Sequence, residues 1–186
     1  MRIEETRRFG LSRKQVYEYV SDPKTWTSWV AGLIDVTDLD QARWQQPGDQ
    51  IALGHRLLGH RIETHLELDE IQPAQYARFH ATAPAVGTAT HEWFYSDAGE
   101  SSSTLRVVCE TGEQPRIVGE NIDPTVVPRA LERDLKTSIG NLEQIFANSI
   151  PDAVPTALGG TQREVVHDRL GGMMWPGPHQ SSKGEN

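Results

Sequence analysis

The clearest pattern along the chain is a strict alternation of side-chain types between Arg61 and Ile71. One face carries Ile62, Thr64, Leu66 and Leu68, and charged residues or histidine fill the positions between them. A period of two residues is typical of a strand that has one face in the core and one in water. Turn-forming sequences separate this segment from similar ones, namely PGD at 47–49, LGH at 58–60, QPAQ at 72–75 and DAGESSS at 97–103. The pattern therefore predicts an antiparallel meander over residues 33–111.

Three shorter elements are predicted before the meander. They are a strand over Ile3–Phe9, a helix from the N-cap residue Ser12 to about Val20, and a short helix from Asp22 to about Val30. A serine hydroxyl can accept a hydrogen bond from the first helical turn, and proline directly after an N-cap acid is a preferred helix start. Trp26 and Trp29 are three residues apart, so they share one face of the second helix.

Apolar residues recur at helical spacing after the meander, between residues 131 and 146. The stripe consists of Leu131, Leu135, Ile139, Leu142, Ile145 and Phe146. It predicts a long amphipathic helix that ends near Asn148. Asp123 and Pro128 are both possible starts, and Pro128 is favoured because proline breaks the hydrogen-bond ladder inside a helix.

These elements place one α+β domain over residues 1–150. Beyond Pro151 the apolar periodicity stops, and proline and glycine recur up to residue 186. A segment of that composition cannot bury enough apolar surface to offset its loss of entropy on folding. We therefore expect residues 151–186 to form a disordered tail.

Composition and charge exclude several classes of function. The 186 residues carry 26 acidic and 18 basic side chains, for a net charge of -8, which disfavours a nucleic-acid partner. Cys109 is the only cysteine, so an internal disulfide and a cysteine-rich zinc site are excluded. No apolar run approaches the length of a membrane span, and the first residues lack a signal core, which predicts a cytoplasmic protein. We expect a monomer or a homodimer.

Five of the seven histidines lie between positions 55 and 91. A metal site would need several of them on one face at ligand spacing. The LGH turn interrupts the strand between His55 and His65, and no helical H-x-x-x-H pair is present. We therefore expect neither a metal nor any other cofactor.

Several segments in the same order resemble a known superfamily. They are IEETRRFGLSRKQVYEYVSDPKTWTSW at the start, the PGD turn, LGHRIETHLELDEIQP, and RALERDLKTSIGNLEQIF. Over residues 1–148 the chain resembles the SRPBCC superfamily, which includes START domains, Bet v 1-like proteins and polyketide cyclases. The resemblance implies a helix-grip fold, in which a seven-stranded antiparallel sheet wraps around the long C-terminal helix. It also implies a cavity for sterols, lipids, polyketides or quinones, but no shared catalytic set.

Candidate ligand-binding residues are those that the strand and helix patterns direct inward. They are His55, Phe79, His91, Trp93, Tyr95 and Leu135. The choice on the strand around His91 depends on register, because a shift of one residue would present Thr90, Glu92 and Phe94 instead. Each aromatic residue can equally serve as core packing, and each histidine can be satisfied by backbone or water.

Three functions fit these residues, and the favoured one is binding of a small hydrophobic ligand such as a lipid or polyketide. The second is a polyketide cyclase or aromatase, in which His91 or His55 exchanges protons and Tyr95 donates a hydrogen bond to an enolate. The third is a protein-interaction module, such as a toxin–antitoxin partner or a quinone chaperone.

Overall fold

The computed structural model describes residues 1–84, 86–112 and 126–149. The elements in chain order are β1 (Arg2–Phe9), α1 (Arg13–Val20), a 3-10 turn (Pro23–Thr25), α2 (Trp26–Trp29), β2 (Leu33–Val36), β3 (Gln50–Leu57), β4 (His60–Gln72), β5 (Tyr76–Ala83), β6 (Gly87–Gly99), β7 (Ser102–Thr111) and α3 (Val126–Ser149). The predicted tail over 151–186 lies outside the described residues.

The helix starts follow from local side-chain chemistry. Ser12 caps α1 through a capping box, in which the Gln15 backbone N–H donates to Ser12 Oγ and the Ser12 N–H donates to Gln15 Oε1. Asp22 caps the following 3-10 turn, and its carboxylate accepts a hydrogen bond from the Lys24 backbone N–H. The long helix α3 is described from Val126, which lies between the two predicted starts.

All seven strands form one antiparallel sheet in the order β1-β7-β6-β5-β4-β3-β2. Strands β2 to β7 are the predicted meander, and β1 closes onto β7 at the far edge. The sheet is curled into a half-barrel, as the resemblance to helix-grip proteins implies. Register shifts between Leu68 and Glu70 on β4 and between Asp97 and Gly99 on β6 mark bulges, which bend the strands that carry them.

The C-terminal half of α3 fills part of the concave face. Ile139, Leu142 and Phe146 are buried there. The Phe146 ring packs edge-on against Phe9 of β1 and Tyr19 of α1, with ring centroids 5.1 and 5.3 Å apart. The N-terminal half of the same stripe is different, because Leu131 and Leu135 are only half-buried. The helix therefore packs into the main core at its C-terminal end and against Leu57 of β3 through Val127 and Ala130 at its N-terminal end, and it borders a space along Leu131 and Leu135.

Candidate functional site

A cavity of about 210 Å³ lies between the concave face of the sheet, the α2 region and the N-terminal half of α3. Most of its wall is aliphatic or aromatic. Apart from tryptophans, the polar residues in the wall are His55, Thr64, Thr88, His91, Cys109, Thr111, Asp134 and Ser138. A mainly apolar space with a few polar groups is the usual composition of a small-molecule site.

An aromatic cluster forms one wall. Phe79 of β5 and His91 of β6 are cross-strand partners, and their rings stack in parallel with centroids 4.8 Å apart and an interplanar angle of 5°. Trp93 lies edge-on to Phe79 at 5.1 Å, and Trp29 of α2 is tilted against Trp93 at 6.0 Å. The parity of β5 and β6 places these side chains on the concave face, so aromatic rings form a continuous cluster along this wall.

The His91 imidazole is neutral at neutral pH. Burial lowers its pKa to about 4, and the nearby His55 ring contributes in the same direction. Its Nε2 lies 3.7 Å from Sγ of Cys109, the cross-strand partner of His91 on β7. Burial also raises the pKa of the Cys109 thiol to about 11, so the sulfur keeps its proton.

The second histidine of the wall, His55, is tied to the segment that follows α2. Its Nε2 lies 3.3 Å from the Ala31 carbonyl oxygen. Burial lowers the pKa of His55, and the Ala31 carbonyl and the Asp134 carboxylate partly oppose that shift. Ser138 of α3 holds the same segment, since its Oγ accepts a hydrogen bond from the Ala31 N–H at 2.9 Å. Helix, strand β3 and the α2 segment therefore meet at this end of the cavity.

Five of the six candidate residues lie in the cavity wall, namely His55, Phe79, His91, Trp93 and Leu135. Tyr95 is on the same face of β6 and is buried, but it is not among the residues that line the cavity. Its ring packs edge-on against Tyr17 at 5.4 Å, so α1 covers it. The phenol group of Tyr95 is therefore separated from the histidines by packing.

The opposite face of β6 carries Thr90, Glu92 and Phe94, the residues that a register shift of one would have turned inward. Glu92 accepts a hydrogen bond from the Tyr76 hydroxyl at 2.7 Å, and the Arg106 guanidinium lies 4.2 Å from the centre of the Phe94 ring. These contacts belong to the convex side of the sheet.

Two polar residues of the wall have little signal in the sequence. Asp134 and Ser138 flank the apolar stripe of α3 at a spacing of four residues, where charged and small side chains usually face solvent. They line the cavity beside Leu131 and Leu135. A third contact, between Cys109 and His91, depends on the pairing of β6 with β7 and could be found only once that register is known.

A curled antiparallel sheet that grips a long C-terminal helix over an apolar cavity defines a START-like helix-grip protein. The chain belongs to the family described as polyketide cyclase / dehydrase and lipid transport, whose profile matches residues 1–147. Family and fold together support a role in binding or cyclising a hydrophobic molecule. Within the described residues, no helix combines the length and apolarity that a bilayer crossing requires.

Solved structures of the same superfamily are similar to this chain in fold. The Zhui aromatase/cyclase from Streptomyces sp. R1128 has a TM-score of 0.67 at 15% identity, with 83% of this chain and 98% of that chain covered. A START superfamily protein from Mycobacterium smegmatis gives 0.65 at 13% identity, with 80% and 98% covered. The di-domain aromatase/cyclase BexL gives 0.60 at 14% identity, and the match covers 81% of this chain and 48% of BexL. No curated protein matches the chain.

Proposed function

We propose that the chain binds a small, mainly apolar molecule in the cavity between sheet and helix. The observation that carries the proposal is the cavity itself. Protein interiors are close-packed and contain few voids larger than a water molecule. A mainly apolar space of about 210 Å³ therefore exceeds what core packing alone would leave, and it has the composition of a small-molecule site. On the α3 side, Leu131 and Leu135 line the space.

The wall favours an uncharged ligand. His55 and His91 are neutral, and no lysine or arginine is among the described residues that line the cavity. A carboxylate or phosphate brought inside would lose its hydration without gaining a cation. The Asp134 carboxylate has its own partner, because the Arg133 guanidinium lies 2.9 Å from its Oδ1. The ligand is therefore neutral, with its polar groups paired by hydrogen bonds.

Calorimetric titration with naphthalene tests this function. An engineered apolar cavity of about 150 Å³ accepts benzene, so a cavity of 210 Å³ can accept a somewhat larger aromatic molecule. We expect saturable binding to the wild-type chain. Leu135→Trp should weaken it at least tenfold, because the indole would occupy the space beneath α3.

Gln144→Trp is the matched control, since it places the same side chain on an exposed position of the same helix. It should bind naphthalene as the wild type does. Undiminished binding to Leu135→Trp, or no binding to any of the three proteins, would contradict the proposal.

A second candidate function is proton-transfer catalysis of cyclisation, which the placement of two neutral imidazoles in one cavity wall favours. An unprotonated imidazole nitrogen would remove a proton from a carbon next to a carbonyl. The resulting enolate carbon would form a bond to a second carbonyl carbon, whose oxygen would take up a proton. His55 suits the role of base better than His91, because the Asp134 carboxylate would stabilise its protonated form.

Deuterium exchange at the α-carbon of 1-tetralone, followed by NMR in D₂O, tests this second function. If the chain is a catalyst, it should accelerate exchange, and His55→Gln should remove the acceleration while affinity for the ketone stays within about tenfold. Exchange at the uncatalysed rate with bound ketone would mean that the chain binds the molecule without activating it.

A further inference from the structure

The hydrogen bond of His55 fixes which of its nitrogens carries the proton. The Ala31 carbonyl oxygen can only accept, so the contact at 3.3 Å places the proton of the neutral ring on Nε2. Nδ1 is then an acceptor. The Nε2–Cδ2 edge faces the Ala31–Gly32 segment, since a Cβ at Gly32 would lie 3.4 Å from Cδ2. The opposite edge, with Nδ1, therefore points away from that segment, and His55 lines the cavity.

The contact of His91 fixes the other tautomer. The thiol of Cys109 is protonated, and an imidazole nitrogen is a better acceptor than a thiol sulfur. The Cys109 S–H therefore donates to Nε2 of His91 across 3.7 Å, and the proton of the neutral ring sits on Nδ1. In the described part of the chain, Nδ1 of His91 has no hydrogen-bond partner and is therefore an available donor.

A second acceptor accompanies the two histidines. The Trp93 indole N–H, two residues from His91 on the same face of β6, has no partner within the described residues but is covered by neighbouring groups and does not open onto the cavity. On the α3 side, the Asp134 carboxylate lies in the wall and exerts its charge on His55. The β6 wall therefore offers a donor at His91, and the end formed by β3 and α3 offers acceptors.

We infer that His55 and His91 hold opposite tautomers and that the cavity consequently selects a neutral hydroxy-carbonyl molecule. The ligand's carbonyl oxygen accepts from His91, and its hydroxyl donates to His55 or Asp134. This inference rests on the proposed binding function and adds the chemical class of the ligand to it. A ring system of about two fused six-membered rings suits the volume of 210 Å³ and the aromatic wall.

Long-range ¹H–¹⁵N correlation NMR of the histidine rings tests the tautomers directly in the full chain. At neutral pH, His55 should show the Nε2–H pattern and His91 the Nδ1–H pattern. Cys109→Ala should remove the preference of the His91 ring for the Nδ1–H tautomer. Cys109→Ser should keep that preference, because a hydroxyl can also donate to Nε2. The same tautomer at both histidines would overturn the inference without any binding measurement.

Four bicyclic probes of matched size test the selection. They are tetralin, 1-tetralone, 5,6,7,8-tetrahydro-2-naphthol and 6-hydroxy-1-tetralone. Each paired polar group should improve affinity about fivefold to tenfold over tetralin, so the hydroxy-ketone should bind tightest. His91→Phe should remove the advantage of the carbonyl alone, and His55→Phe should remove the advantage of the hydroxyl alone.

The outcomes separate the two proposals. Equal affinity for all four probes would overturn the selection and leave the binding function standing. Loss of both the carbonyl and the hydroxyl advantage in each of the two variants would also overturn the selection. The His91 end and the His55 end of the cavity would then not recognise different groups. Failure of every probe to bind would overturn the binding function, and the selection with it.

Discussion

Replacing Leu142 with alanine should lower the free energy of unfolding by about 2–5 kcal/mol. Leu142 has a relative exposure of 0%, and it packs in the main core with Phe9, Phe146 and the sheet. Truncation would leave a void in a region where the helix, β1 and α1 are in close contact. Denaturant titration monitored by circular dichroism would measure the change.

Two further substitutions on α3 make the comparison specific. Leu135→Ala should cost less than about 2 kcal/mol, because Leu135 is half-buried and already borders the cavity. Gln144→Ala, at an exposed position, should change stability by no more than about 0.5 kcal/mol. Equal losses at positions 135 and 142 would show that the helix packs uniformly against the sheet and that the space beneath it is not there.

Acidification should destabilise the chain through His91. Its pKa of about 4 in the folded protein lies below the ordinary histidine value of 6.5, so between these values the unfolded chain binds a proton that the folded chain does not. The free energy of unfolding is therefore independent of His91 above pH 6.5 and falls as the pH drops from 6.5 to 4. Below pH 4 His91 causes no further change. Because the His91 ring is only partly buried, the loss should be at most about 3 kcal/mol. Unfolding titrations at several pH values would measure the slope.

His91→Phe provides the control for this effect. Phenylalanine keeps the aromatic stack on Phe79 and cannot take up a proton. The carboxylates titrate in both proteins, so the difference in slope between them isolates His91. Parallel pH profiles for the two proteins would mean that the His91 ring is hydrated in the folded state.

The sequence predicts the sheet well because its signals are local and periodic. The alternation on β4 and the turns that flank it depend on residues close together in the chain, and the structure has a strand over His60–Gln72. The caps at Ser12 and Asp22 are local in the same sense. The α+β helix-grip architecture follows once these elements are recognised in order.

The candidate site is less predictable because it depends on distances between elements. Leu135 and Leu142 occupy equivalent positions in the apolar stripe of α3. Leu135 nevertheless borders the cavity, whereas Leu142 is in the core. The difference between the two leucines depends on how the helix packs across the curved sheet, and the periodicity of a single helix does not encode that packing. Tyr95 illustrates the same limit, since its parity is that of His91 but α1 packs over it.

The two edge strands of the sheet, β1 and β2, affect whether copies of this chain can pair through their sheets. An unpaired strand edge is a template for intermolecular pairing and fibril growth, and natural proteins protect such edges with charge or shortness. β1 carries five charged residues in eight, and β2 has only four residues, a register shift and an ion pair between Asp35 and Arg61. Self-association by strand addition is thereby disfavoured at both ends, so the chain can keep a ligand-sized void inside without offering its sheet as a seed for aggregation.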